Sequence, residues 1–349
     1  MIETNSQLAE LLPALAAVDR IAVDTEADSL HCYFEKLCLI QISVSGEDYL
    51  VDPLAQIDLA PLAQVLTGKE IVLQGADFDL RLLRRSFDFV ATRIFDTVIA
   101  ARLLGIRSFS LAALVEKFFG VTLVKGSQKA NWARRPLPRH MAEYAMNDTH
   151  YLLPLAEKLE AGLRERGRLD WFRQSCERAL EQAAVQRTRD DDEPWRISGS
   201  GKLGGRACAV LRELWRWRDK EAQAADRPAF HILQNDRLIR AAEEFVAGEV
   251  PDYRHFSARR REAFREAGER GLRLSESEWP VRQRRRGTRP TREMERAAEE
   301  LRRRRDAVAD AHGLEPSLIA PRGALDAVAA DGSRTESLLV PWQRDLLEL

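Results

Sequence analysis

Asp24 and Glu26 stand two residues apart at the end of an apolar run, Ile21-Ala22-Val23. Along a β-strand, residues i and i+2 project from one face, so the two carboxylates are expected side by side. Like charges that close repel in a poorly solvated site, and a divalent cation relieves the repulsion. Oxygen ligands suit Mg2+ or Mn2+. Taken alone, the pair is better explained as a strand end with two solvated acids, so other stretches must decide.

Two further acidic stretches are candidates to converge on that pair. In Gln74-Gly75-Ala76-Asp77-Phe78-Asp79-Leu80 a strand feeds a helix, and carboxylates are favoured at a helix N-terminus. Asp77 and Asp79 are both explicable as caps, and one of them is a candidate to face a metal site. In Tyr144-Ala145-Met146-Asn147-Asp148 the phenol and the carboxylate are four apart and share one helix face. Aspartate is a poor helix-interior residue, so Asp148 amid Met141, Leu152, Leu153 and Leu155 calls for a reason. It is either a solvent-facing acid beside a half-buried Tyr, or a metal-binding carboxylate with a phenol one turn away that holds a water.

The elements that must position these residues follow from apolar periodicity. Asn5 and Ser6 are expected to cap a helix through Leu8, Leu11, Leu12 and Leu15. Strands are expected at Ile21–Val23, Leu37–Val44 and Tyr49–Val51, the last stopped by Asp52-Pro53; short links make them an antiparallel meander. A helix near Leu59–Leu66, a strand at Ile71–Leu73 and a helix through Leu80, Leu82 and Leu83 come next. Asp96 opens another helix, and Ser110 caps one that ends at Gly120. A basic, Pro-containing loop from Lys125 to Pro138 precedes a long helix running to about Leu163. This order predicts a mixed sheet flanked by helices.

Charged helix continues from Arg164 to Ala184, and Arg187–Pro194 reads as the exposed boundary of the first domain. Beyond it the chain is helical and repeats itself: Glu213–Ala242 shifted by 87 positions onto Glu300–Ala329 gives ten identities in 30 ungapped positions, among them Arg218/Arg305 and Ile232/Ile319. Two small helical domains are expected, about 200–280 and 290–349, after a first domain over 1–165 and a helical, charged linker over 166–199.

Composition excludes several classes. With 349 residues, 45% hydrophobic and 31% charged, the chain is an ordinary soluble globular protein of two or three domains. No basic start followed by an apolar block marks a signal peptide, and no apolar run approaches the length of a bilayer span. Cys32, Cys38, Cys176 and Cys208 have no metal-ligand or redox spacing and read as reduced thiols in the cytoplasm. Net charge is −1, yet Arg282–Arg305 holds eleven arginines against four glutamates, which fits either phosphate binding or a solvated helix face.

Asp-Thr-Glu on a strand, an Asp in Gly-Ala-x-x-Asp-Leu and Tyr-x3-Asp on a helix resemble, in that order, the three motifs of the DEDD nucleases in the subgroup marked by tyrosine. LCLIQIS, LVDPL, FDTVIAARLL, WARRPL and YAMNDTHYLL extend the resemblance to ribonuclease D and its exosome-associated relative, over roughly residues 20–160. The duplicated helical unit is similar to the HRDC domain.

The resemblance implies a ribonuclease H-like exonuclease domain followed by two small all-α HRDC-like domains. It also implies a 3′→5′ exoribonuclease with two divalent cations, Mg2+ or Mn2+, releasing nucleoside 5′-monophosphates. Carried over residue by residue, the metal carboxylates are Asp24, Glu26, Asp79 and Asp148, with Tyr144 orienting the attacking water. Asp79 is preferred to Asp77 because the family's acid stands four residues after the Gly; Asp28 and Asp77 are then decoys or supporting groups. Gln74 departs from the His often found there, and Asp96 reads as a helix cap.

The implied substrate is RNA, particularly 3′ extensions of tRNA precursors and other structured RNAs. Lys129, Arg134 and Arg135, with Trp132 beside them, are the expected strand contacts; core packing is the competing role for Trp132. The other readings are a DNA 3′ exonuclease with the same site, and a non-catalytic RNA-binding adaptor, against which the complete set of four acids speaks.

Overall fold

The computed structural model describes residues 1–124, 126–185, 194–280 and 291–349. Five strands form one mixed sheet: β1 (Arg20–Ala27), β2 (Leu37–Val44), β3 (Glu47–Val51), β4 (Glu70–Leu73) and β5 (Arg93–Asp96). Their order is β3-β2-β1-β4-β5. The expected meander is present, with β1 to β2 and β2 to β3 antiparallel, and β4 and β5 extend it in parallel. Strand β5 was not foreseen. Only Ile94 and Phe95 give it an apolar signal, and it forms because β4 offers a free edge.

The helices of the first part are α1 (Asn5–Ala16), α2 (Ala60–Leu66), α3 (Asp77–Phe87), α4 (Thr97–Leu103), α5 (Leu111–Phe119), α6 (Arg139–His150), α7 (Leu152–Glu165) and α8 (Leu169–Ala184). The cap of α1 is Thr4 rather than Asn5 or Ser6, in a reciprocal capping box with Gln7. The long helix expected to reach Leu163 is two helices, α6 and α7, joined at Tyr151. Pro154 accounts for the break: it has no N–H to give the carbonyl of His150, and its ring crowds that carbonyl.

Two compact units divide the chain, one made of 1–27, 36–186 and 288–349, the other of 28–35 and 187–287. This division differs from the expected domains. Helix α8, assigned to a charged linker over 166–199, belongs to the first unit's core through Phe172 and Cys176, and Phe172 packs on Phe95 of β5. Its other side carries Trp171, stacked 5.0 Å from Trp342. Buried Arg168 donates to the carbonyls of Leu103 and His312. The last helices, α13 (Arg292–His312), α14 (Pro316–Ile319), α15 (Arg322–Ala330), α16 (Thr335–Leu338) and α17 (Pro341–Leu347), therefore share one core with the sheet. Most of the expected boundary Arg187–Pro194 and the start of the arginine tract lie outside the described residues.

The second unit holds α9 (Gly205–Ala224), α10 (Ala229–Ile232), α11 (Asn235–Val246) and α12 (Ala258–Arg273), without a strand among its described residues. Helix α12 approaches α9 closely because Gly271 faces Val210, where a Cβ would lie 2.5 Å from the Val210 Cα. The loop Asp28–Glu35 also belongs here: the Tyr33 hydroxyl donates to Asp219, and the N–H groups of Tyr33 and Phe34 donate to Asp226.

The internal repeat is structural. Helices α9, α10 and α11 start at 205, 229 and 235, and α13, α14 and α15 start at 292, 316 and 322, the same offset of 87 each time. Arg218 donates to the Leu233 carbonyl at 2.9 Å, and its equivalent Arg305 donates to the Ala320 carbonyl at 3.1 Å. The arginines of α13 are largely engaged within the fold: Arg302 with Glu299 and Asp326, Arg303 with Glu300, Arg304 with Glu348. All four cysteines are buried, and none of them forms a disulfide. No helix among the described residues is long and apolar enough to cross a membrane.

Candidate metal centre

Three of the acids meet. Asp24 and Glu26 on β1 and Asp148 on α6 each place a carboxylate oxygen within 4.8 Å of the others. The strand alternation puts the first two on one face, and the pairing of β1 with β2 shifts register just after Glu26. Asp148 arrives from the last full turn of α6, whose inner residues Met141 and Ala145 pack on Leu39 and Leu50 of the sheet.

Asp79 reaches the same region by a different route. It sits in the first turn of α3, buried, and accepts the Thr25 hydroxyl at 2.5 Å. Asp77 is exposed and pairs with Arg81 on its own helix, so burial separates the two candidates. Asp96 does more than cap α4. Its carboxylate accepts from the N–H groups of Val98 and Ile99, and also from Gly75 and Ala76, which lead into α3. Gln74 is likewise structural, donating to the Phe109 carbonyl. Asp28 lies in the loop of the second unit, outside the acid cluster.

Tyr144, one turn before Asp148, is half-buried and hydrogen-bonded to Gln128. Burial and the carboxylates Asp148, Glu26 and Asp24 push its phenol above the usual range, so it stays protonated. Thr25 and Gln128 carried no sequence signal of their own, since a hydroxyl and an amide gain meaning only from the group they meet.

Burial is the first cause that raises every carboxylate here, and neighbouring negative charge adds to it for Asp24, Glu26 and Asp148. Glu26 is pushed up to about 9, Asp148 to about 7 and Asp79 to about 6; Asp24 is held well above the ordinary carboxylate range. Thr25 works against this at Asp79, where its hydroxyl stabilises the charged form. A cluster of oxygens that resists ionising alone is the donor set a hard divalent cation fits.

Two expected substrate contacts are corrected. Trp132 is buried beside Cys38, Leu39 and Met141, with its ring 6.2 Å from that of Tyr144, so it backs the tyrosine instead of offering a stacking face. Arg135 donates to buried Asp52 and to the carbonyls of Cys38 and Trp132, which ties the loop to the sheet. Its charge is committed to Asp52. Lys129 and Arg134 are exposed.

An acidic cluster at the end of the central strand of a mixed sheet, beside Tyr-x3-Asp on a covering helix, is a candidate metal site. A profile of the 3′-5′ exonuclease domain matches residues 1–164, and one of the HRDC domain matches residues 208–245. In this pairing of domains the chain resembles the ribonuclease D family. It is 35% identical over 237 residues to ribonuclease D of Xanthomonas oryzae pv. oryzae, a match covering 66% of this chain and 64% of that protein. It is 33% identical over 261 residues to exosome complex component 10 of Mus musculus, covering 70% of this chain and 29% of that one. The chain thus spans less than two thirds of either relative. The crystal structure of Escherichia coli RNase D shares its fold, with a TM-score of 0.71 at 24% identity over 100% of this chain and 98% of that one.

Proposed function

We propose that this protein is a metal-dependent 3′→5′ exoribonuclease that hydrolyses the last phosphodiester of a single-stranded RNA 3′ end and releases nucleoside 5′-monophosphates. The observation that carries the reading is the meeting of Asp24, Glu26 and Asp148 within 4.8 Å, with Asp79 held beside them through Thr25. Two divalent cations, Mg2+ or Mn2+, held by Asp24, Glu26, Asp79 and Asp148, would supply water activation and charge neutralisation at the phosphate.

The chain's own residues do the rest. Glu26, ionised once a cation is bound beside it, is placed to accept the proton of an attacking water. Tyr144 keeps its proton and donates a hydrogen bond that orients that water, while Gln128 and Trp132 fix the ring. The water oxygen forms the new bond to phosphorus as the bond to the 3′ oxygen breaks, and that oxygen takes a proton from solvent water as it leaves. Exposed Lys129 and Arg134 line the loop before α6 and are suited to backbone phosphates. A second basic surface, a groove of about 650 Å3 with Arg107, Lys117 and Lys158 on its walls, suits the same partner.

Trimming of 3′ extensions on tRNA precursors and other structured RNAs is the corresponding cellular role, and the second helical repeat would serve as a further HRDC-like domain. A 5′-labelled RNA with a short single-stranded 3′ tail, incubated with Mg2+ or Mn2+, tests the activity. A ladder shortening from the 3′ end, abolished by EDTA and by Asp24→Ala, is expected. RNA bound but left intact with both cations would replace the enzyme by an adaptor. A matched DNA cut equally well would reassign the substrate.

A further inference from the structure

Gln41 lies in the middle of β2 with no exposed surface, and neither its carboxamide oxygen nor its nitrogen has a hydrogen-bond partner among the described residues. Leaving such a group unpaired is destabilising, a penalty that leucine or methionine would avoid. Its polar neighbours on the sheet are satisfied: Ser43 bonds Asp48 and Thr149, and Asp52 takes the Arg135 guanidinium.

The place of Gln41 in the ladder explains what it faces. It is the direct partner of Asp24 across β1 and β2, and directly opposed residues share a face with their Cβ atoms about 5 Å apart. The same face is covered by α6. Leu39, two residues before Gln41, packs in the cluster of Met141 and Ala145, and Ser43, two residues after, lies 2.7 Å from Thr149. Gln41 therefore stands beneath the turn Ala145–Thr149 that carries Asp148, with Asp24 at its side.

We propose that Gln41 is a positioning residue of the cation site: its amide, unpaired in the cation-free fold, turns to donate its N–H to Asp24 once the cation is bound, to the oxygen that is turned away from the cation. This rests on the metal-dependent reading above. A neutral amide bonded to an ionised carboxylate makes a charge-assisted bond, roughly twice as strong as one between neutral groups. The bond thus favours the ionised Asp24 that cation binding requires, and it fixes which oxygen is presented. Partners of this kind change metal affinity by about 10–100-fold when removed.

Gln41→Met and Gln41→Leu in the full chain test it, both near the size of glutamine and both without a donor. Expected are melting temperatures without metal equal to or above wild type, because the unpaired amide is gone. Mn2+ affinity by isothermal titration calorimetry is expected to fall about 10–100-fold, with the melting-temperature rise on adding Mn2+ reduced in step. Wild-type Mn2+ affinity in the better-folded of the two variants, beside lost affinity in Asp24→Ala, would overturn this inference alone. A wild-type chain that binds no Mn2+ would overturn it together with the proposed function.

Discussion

Thr25 donates its hydroxyl to Asp79 across 2.5 Å and so joins the central strand to the start of α3. Asp24 and Glu26 leave β1 on one side of the pleat, and the residue between them leaves on the other to hold the fourth acid. Three consecutive residues thereby organise a site whose other members lie 53 and 122 positions further on, at Asp79 and Asp148 from Glu26.

Thr25→Val keeps the shape and removes that bond. Hydrogen bonds to charged groups contribute about 1.5–3 kcal/mol, so a lower melting temperature is expected, with activity reduced about 10–100-fold. The Thr25 bond lowers the Asp79 pKa, so the Asp79 carboxyl should titrate above its present value of about 6 in the metal-free variant. Carboxylate carbon NMR across the titration reads this out; an unmoved Asp79 would remove Thr25 from the site.

The four acids give the metal-free protein an unusual pH dependence. Their pKa values are raised in the folded state, from 3.8 or 4.5 to about 6 for Asp79, about 7 for Asp148 and about 9 for Glu26. The folded chain then binds more protons than the unfolded one, and the stability these groups contribute, fully present below about pH 4, is lost as pH rises toward 9. In EDTA the urea midpoint should fall between pH 5 and pH 9, and Mg2+ should restore more at pH 9 than at pH 5. A midpoint rising with pH in EDTA would contradict the assignment.

Tyr144→Phe removes the phenol hydroxyl and leaves the ring against Trp132. Turnover should drop about 10–100-fold while Mn2+ affinity stays within about twofold, the outcome that the proposed role of Tyr144 in orienting water, without holding a cation, requires. Asp148→Ala should lose both, with turnover down on the order of a thousandfold. Single-turnover rates beside calorimetric titrations separate the two roles.

The loop before α6 divides into structural and exposed residues. Trp132→Ala should destabilise by about 3–5 kcal/mol, and Arg135→Ala by about 3 kcal/mol, since it strands buried Asp52. Arg134→Ala should leave stability within about 0.5 kcal/mol and raise the KM for RNA. Denaturation curves and KM values distinguish them: a KM effect of Arg135→Ala without destabilisation would restore it as a substrate contact.

Local pattern alone determined the strands β1 to β4, most of the helices, the three acidic motifs and the 87-residue repeat, because each is written in nearest-neighbour spacing: period two along a strand, three to four along a helix, a constant shift between copies. Asp24 and Glu26 had to share a face once their stretch was a strand. What tertiary structure decided is which isolated groups meet. Strand β5 exists because β4 has an edge to pair. Asp79 prevails over Asp77 by geometry because one is buried on Thr25 and the other pairs with Arg81 at the surface. Trp132 and Arg135 read as nucleic-acid contacts in a basic loop, yet the fold turns one into the core and gives the other's charge to Asp52. Helix α8 looked like a charged linker because its buried stripe is narrow, and it became core when β5 and Trp342 covered it from two sides. Burial and long-range pairing are properties of the folded chain, and a residue's local neighbours carry no record of them.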